Sequence, residues 1–262
     1  MLLFAVDTST RAGSVAVLRD GRLLGVRVSC STQPHAFGLF VDLQGLLDEL
    51  VIPLATFDLF AVAAGPGSFT GLRIGLTAVK AWAEAFSRPV VAVSSLEAIA
   101  LQALKISNLP VGTAVAAVQD ARRGQVFGRV YDYVGGGPDP FVSLGEEVLL
   151  PASEFVNLVA DQVGAREPVF VSPAAEPIRS ALEGSALKRA RVEEVSGVLA
   201  PFIGEMGYAR ALRGEVTDAL RLDANYVRRT DAEVKWKDAK WKEPAWKDAK
   251  SEESASKDRS LT

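Results

Sequence analysis

The chain has 262 residues, 48% of them apolar, enough for one large domain or two lobes with an ordinary buried core. Lys and Arg total 29 against 32 Asp and Glu, a formal net charge of −3. That balance excludes the overall pull on nucleic acid that a basic face exerts on phosphates. A lone cysteine, Cys30, excludes an intrachain disulfide and a cysteine-based zinc site; a buried thiol is expected there. Met1 leads directly into a strand-like segment with no basic and apolar leader, and no apolar run reaches the ~20 residues of a membrane span. A cytoplasmic protein without membrane contact is the expectation.

In chain order, Leu2 to Val6 reads as an apolar strand ending in the polar turn Asp7-Thr8-Ser9-Thr10-Arg11-Ala12-Gly13. Ser14 to Leu18 is a second strand, Asp20-Gly21 a two-residue hairpin signal, and Leu23 to Ser29 a third, alternating strand. A helix is predicted from about His35 to Leu50, stopped near Pro53. Leu59 to Ala64 is apolar throughout, as where both sheet faces are covered. A glycine-rich turn, Gly65 to Thr70, then enters a helix over about Gly71 to Phe86, followed by a strand at Pro89 to Val93 and a helix at Ser95 to Lys105. From Gly112 a weaker version of the same order begins: strands at Thr113 to Val118, Gln125 to Tyr133 and Phe141 to Leu149. Ser153 is expected to cap a short helix, with a brief strand at Val169 to Val171 and a long helix near Gly197 to Arg213. This pattern is α/β with two lobes, 1–108 and 109–230. The remainder, 231–262, has eight basic and eight acidic residues and repeats Trp-Lys-Asp-Ala-Lys at Trp236 and Trp246; it reads as a charged, flexible extension.

The stretch Gly65-Pro66-Gly67-Ser68-Phe69-Thr70-Gly71-Leu72-Arg73-Ile74-Gly75 lies between a strand and a helix, where N–H groups and the helix dipole favour an anion. It fits neither phosphate template: no Lys follows Gly71, and Thr70 stands where the dinucleotide motif needs glycine. Gly65 and Gly67 suit a tight turn, and Ser68 or Thr70 an N-cap. Gly71, Gly75 and Ala78 make a small-residue helix face at a cost of about 1 kcal/mol per glycine, which close packing inside the lobe or against a partner must offset.

Four segments resemble, in order, motifs of the TsaB family: Asp7-Thr8-Ser9, Gly65 to Gly75, Val93-Ser94-Ser95-Leu96-Glu97-Ala98, and Asp120-Ala121-Arg122-Arg123-Gly124. A faint fifth is Asn225-Tyr226-Val227-Arg228. The first helix departs from the family's His-Ser-Glu-Arg-Leu-Leu-Pro with His35-Ala36-Phe37-Gly38-Leu39-Phe40-Val41, and the tail has no counterpart. The resemblance implies an actin-like ATPase (ribonuclease H-like) fold with a reduced second lobe. It also implies a non-catalytic subunit that binds and activates a TsaD-type catalytic subunit in threonylcarbamoyl transfer to tRNA adenosine. A TsaE-type ATPase would join them, with tRNA reached through the complex and a homodimer possible for the isolated chain.

The same resemblance sets Ser95 and Ile99 where the paralogous TsaD carries two metal-binding histidines. Two His at i and i+4 can hold a metal; Ser and Ile cannot, and His35 is the single histidine of the chain. No Gly-x-Ser-x-Gly elbow accompanies it. The paired acids Glu146–Glu147 and Glu193–Glu194 read as solvated faces. No catalytic residue, metal or cofactor is therefore expected. Asp7, Thr8 and Ser9 are retained as a vestigial nucleotide site. On the first helix, Leu39, Leu43, Leu46, Leu47 and Leu50 form the sheet-facing side, while Phe37, Phe40 and Val41 extend apolar surface around it. With His35, Gly71, Gly75 and Ala78 they make up the predicted partner surface. The alternatives are an actin-fold ATPase or metallopeptidase-like enzyme, and a homodimeric scaffold for another client.

Overall fold

The computed structural model describes residues 1–29, 35–136, 140–225 and 227, with the backbone alone at 35–37. Residues 1–228 form one compact unit. Cys30, the side chains of His35, Ala36 and Phe37, and the charged tail from Asp231 lie outside the described residues.

The first half runs β1 (Leu2–Asp7), β2 (Ser14–Arg19), β3 (Arg22–Val28), α1 (His35–Leu50), β4 (Leu59–Gly65), α2 (Phe69–Phe86), β5 (Val90–Ser94) and α3 (Ser95–Ile106). Its sheet has the order β3-β2-β1-β4-β5, with the meander β1–β3 antiparallel and β1, β4 and β5 parallel. The second half runs β6 (Ala114–Asp120), β7 (Gln125–Tyr133), β8 (Phe141–Ser143), β9 (Val148–Pro151), α4 (Ala152–Val163), β10 (Val169–Ser172), α5 (Glu176–Leu182), β11 (Arg191–Glu194) and α6 (Ala200–Leu212). Its order is β11-β10-β6-β7-β8, with β9 also on β7, so the βββαβαβα order of the first half recurs with the third strand split into β8 and β9. The second copy is the shorter: β10 and β11 have four residues each, and α5 has seven where α2 has 18. This is the two-lobed actin-like fold with a reduced second lobe.

The two closing helices are exchanged between the lobes. α6 packs on β1, β2, β4 and β5 of the first sheet, α3 packs on β6, β7 and β10 of the second, and the two helices touch each other. Their side chains, with the inner faces of both sheets, form one core that includes Leu3, Leu18, Leu96, Ile99, Leu199 and Ile203. α1 and α2 cover the outer face of the first sheet, with Leu72 of α2 in the same core as Phe4, Phe57 and Phe60; α4 and α5 cover the second, with Phe155 of α4 against Phe170. Each of these buried aromatics contributes roughly 1.5–3 kcal/mol by leaving water.

Several sequence expectations need correction. Phe141 to Leu149 is two strands, because the chain leaves β7 at Leu144 and rejoins it at Val148. Ser153 is no cap: α4 starts at Ala152 behind Pro151 with no side-chain cap hydrogen bond. α2 begins at Phe69, two residues earlier than predicted, and α6 at Ala200 rather than near Gly197. α5 and β11 have no counterpart in the sequence reading.

Candidate cleft and helical surface

The C-terminal ends of β1, β4 and β6 carry three of the four motif segments, and hydrogen bonds among Ser9, Ser68 and Gln119 bring them together. In open α/β sheets ligands bind at such strand ends. A cleft of about 710 Å³ is lined by Ser9 to Ala12, Gly67 to Phe69, Gln119 to Arg122, and Pro173, Gly197, Asn225 and Val227 among others.

Asp7 closes the first turn on itself. Its Oδ1 accepts from the Ser9 N–H at 2.8 Å and the Ser9 hydroxyl at 2.6 Å, and its Oδ2 accepts from the Thr10 hydroxyl at 2.9 Å. Asp7 is fully buried and does not line the cleft, while Ser9 does. Of the vestigial nucleotide set, then, Ser9 faces the cleft and Asp7 organises the turn beneath it. The Ser9 carbonyl accepts from the Ser68 N–H at 2.9 Å and from Gln119 Nε2 at 3.1 Å, tying the first turn to the glycine-rich loop and to the second sheet.

The glycine-rich loop is shaped by close backbone approach. Gly65 has φ +117°, a value that side chains disfavour, and the Gly65–Pro66 peptide is cis. A Cβ on Gly67 would lie 2.6 Å from the Ser9 carbonyl; one on Gly71, 2.0 Å from the Thr8 carbonyl; one on Gly75, 2.3 Å from Thr8 Oγ1. Ser68 caps α2, its hydroxyl accepting from the Gly71 N–H at 3.3 Å. Arg73 stacks its guanidinium 4.0 Å over the Phe69 ring. Of the two readings of the small-residue face, the structure selects packing inside the lobe. Gly71, Gly75 and Ala78 are buried against their own chain and offer no surface to a partner.

Ser95 and Ile99 are both fully buried. The Ser95 hydroxyl donates to the Pro66 carbonyl, bracing the glycine-rich loop against α3, and Ile99 is part of the inter-sheet core. Among the described residues no group of three or more His, Cys, Asp or Glu is placed to hold a metal.

Sequence reading missed a buried polar cluster beside the cleft. Glu147 is not on a solvated face: its side chain is 4% exposed. It accepts from the Ser94 hydroxyl and from Asn225 Nδ2 at 2.5 Å, with Arg129 Nη1 at 3.9 Å. Burial pushes its carboxyl above the ordinary carboxylate range, opposed by the Ser94 hydrogen bond and by Arg129. Burial likewise raises the Tyr131 phenol, with Glu97 and Glu147 adding to it. Ser94 also caps α3. Asn225 donates its backbone N–H to the Ala64 carbonyl at 2.8 Å, so the C-terminal segment bridges both lobes at the cleft. The faint Asn225 motif was the available signal; nothing in the sequence joined it to Glu147.

On the outer face of the first lobe, Leu39, Leu43, Leu46 and Leu47 are buried on the sheet as predicted. Phe40 and Val41 are 52% and 68% exposed. Phe40 meets Trp82 of α2 edge-on at 6.3 Å, and Trp82 in turn contacts Phe4 and Phe60 of the core. Phe40 thus joins the aromatic core of the lobe through Trp82.

The chain has recognisable relatives. A family model described as TsaD, tRNA N6-adenosine threonylcarbamoyltransferase, matches residues 25–161, just over half of the 262. The Bacillus subtilis tRNA threonylcarbamoyladenosine biosynthesis protein TsaB is 27% identical over 246 residues, covering 90% of this chain and 98% of that one. The Escherichia coli protein of the same name is 33% identical over 131 residues, 50% of this chain and 55% of that one. The solved structure of YeaZ from Pseudomonas aeruginosa is similar with a TM-score of 0.69 at 30% identity, over 86% of this chain and 99% of that one. Supported by motifs around one cleft between two related α/β halves, these matches show that the chain belongs to the TsaB (YeaZ) family.

Proposed function

We propose that this chain serves tRNA threonylcarbamoyladenosine biosynthesis as a non-catalytic subunit, binding and activating a TsaD-type transferase in the cytoplasm. The observation that carries the reading is the exposed pair Phe40 and Val41 on α1, with the Phe40 ring set edge-on against Trp82. Neighbouring exposed apolar side chains on a helix offer apolar surface of the kind that a partner buries. The names of the relatives supply the pathway, and the match to the TsaD family model supports kinship with the transferase that the reading takes as partner.

Support for the non-catalytic role comes from Ser95 and Ile99. Both are buried in packing and hydrogen bonding at the positions the family resemblance assigns to metal-binding histidines. In this reading a TsaE-type ATPase joins the pair, and tRNA is held by the complex rather than by this chain. Reconstitution tests it. The TsaD-type subunit with a source of threonylcarbamoyl-adenylate is expected to modify tRNA at a useful rate only when this chain is added. Modification by this chain alone, or equal modification without it, would refute the role.

A further inference from the structure

After α6 the chain turns back along the first lobe as residues 215–225, which belong to no helix or strand. β5 is the edge strand of that lobe's sheet, and the segment pairs with it at one point. There the Thr217 N–H donates to the Val90 carbonyl and the Val90 N–H to the Thr217 carbonyl, both at 2.8 Å. Ala219 and Leu222 then enter the core that α1 and α2 form with the outer face of the sheet. At the far end Asn225 donates its N–H to the Ala64 carbonyl at 2.8 Å and its Nδ2 to Glu147 Oε2 at 2.5 Å, so it spans the two lobes. Between these anchors Val216, Asp218, Leu220 and Arg221 are exposed. α6, by contrast, buries Ile203 and Met206 in the inter-sheet core. A segment held by few buried apolar side chains and few hydrogen bonds opens at a fraction of the global unfolding free energy.

We propose that residues 215–225 are a latch that opens and closes as one unit while α6 and both sheets stay folded. Opening breaks the Val90–Thr217 pair, takes Leu222 out of the core beneath α1 and α2, and removes the Asn225 donor from Glu147. Arg129 Nη1, 3.9 Å from Glu147 Oε1 in the closed state, is the group placed to take over that carboxyl. The open state therefore keeps a partner for Glu147, which is what makes a second arrangement accessible. It also bares the backbone groups of Val90 at the sheet edge, where an extended segment of another chain can pair. Neither the opening nor its test depends on the docking role proposed above.

Amide hydrogen exchange of the full chain, followed residue by residue by NMR, tests the latch. Four amides report on it: Val90, Thr217, Asn225 and Leu222, whose N–H donates to the Asp218 carbonyl at 3.2 Å. They are expected to share one protection factor, about a hundredfold below those of Ile203 and Gly207 in α6, and to depend little on low urea concentrations. Val90 discriminates most sharply, since it lies in β5 yet should exchange with the segment rather than with its own strand. Asn225→Ala should lower the protection of Val90, Thr217 and Leu222 about fivefold, the scale of one hydrogen bond, and leave Ile203 and Gly207 unchanged. Leu222→Ala, at the buried anchor, should lower the same set by more than that. The proposal is overturned if the four amides exchange at unrelated rates, or if they exchange only together with α6. It is equally overturned if Asn225→Ala leaves Val90 and Thr217 exchanging as in the parent. The parent chain alone decides the first two outcomes even if a variant fails to fold.

Discussion

Gly71 of α2 lies directly against Thr8 of the first turn: a Cβ on Gly71 would sit 2.0 Å from the Thr8 carbonyl oxygen. Because the obstacle is backbone, neither element can yield cheaply. Alanine improves helix propensity by about 1 kcal/mol, but overpacking typically costs 1–3 kcal/mol and here meets an unyielding oxygen. Gly71→Ala is expected to lower unfolding free energy by about 2 kcal/mol in urea denaturation. Gly136→Ala, where nothing lies within 4 Å, is the control and should change little.

Glu147 makes stability pH-dependent in a defined sense. Its folded-state carboxyl titrates above the ordinary carboxylate value because it is buried. A group raised on folding contributes stability that is fully present below its unfolded pKa, near 4.3, and lost as pH rises through its folded pKa. Relative to Glu147→Gln, the parent should therefore lose stability as pH is raised from about 4 through the folded-state pKa. A stability difference between the two that does not vary with pH would contradict the assignment.

Asn225 is the donor that holds the C-terminal segment to Glu147 Oε2 at 2.5 Å. Asn225→Ala takes this donor from the Glu147 carboxyl, which should cost about 1 kcal/mol. The penalty should shrink at low pH, where the carboxyl is protonated. Thermal unfolding of the single and double variants with Glu147→Gln measures the coupling as a double-mutant cycle, and additive effects would show that the contact contributes nothing.

Legibility in the sequence followed the strength of local signals. Asp20-Gly21 announced its hairpin because both residues adopt positive φ, +51° and +75°, as a two-residue turn requires. The apolar runs of β1 and β4 and the helical spacing of the leucines in α1 were equally plain. β11 was not, since Arg191-Val192-Glu193-Glu194 is a charged edge strand fixed by its pairing to β10. α5 carries Pro177 in a seven-residue helix and gives no sustained period. At the cleft, the turn motifs were visible as glycine and Asp-Thr-Ser clusters. Their convergence was not, because Ser9, Ser68 and Gln119 meet through tertiary hydrogen bonds. Glu147 was misjudged for the same reason: beside Glu146 it reads as surface, and its burial comes from Ser94 and Asn225, far away in sequence.

The docking role rests on Phe40 and Val41, and their exposure makes the decisive measurement clean. Phe40→Asp and Val41→Asp replace solvent-exposed side chains, so thermal unfolding should shift little. Binding of each variant to a purified TsaD-type subunit, followed by isothermal titration or sedimentation, is expected to weaken at least tenfold, or about 1.4 kcal/mol, and tRNA modification in the reconstituted system to fall with it. Parental affinity and full modification with both substitutions combined would contradict the account.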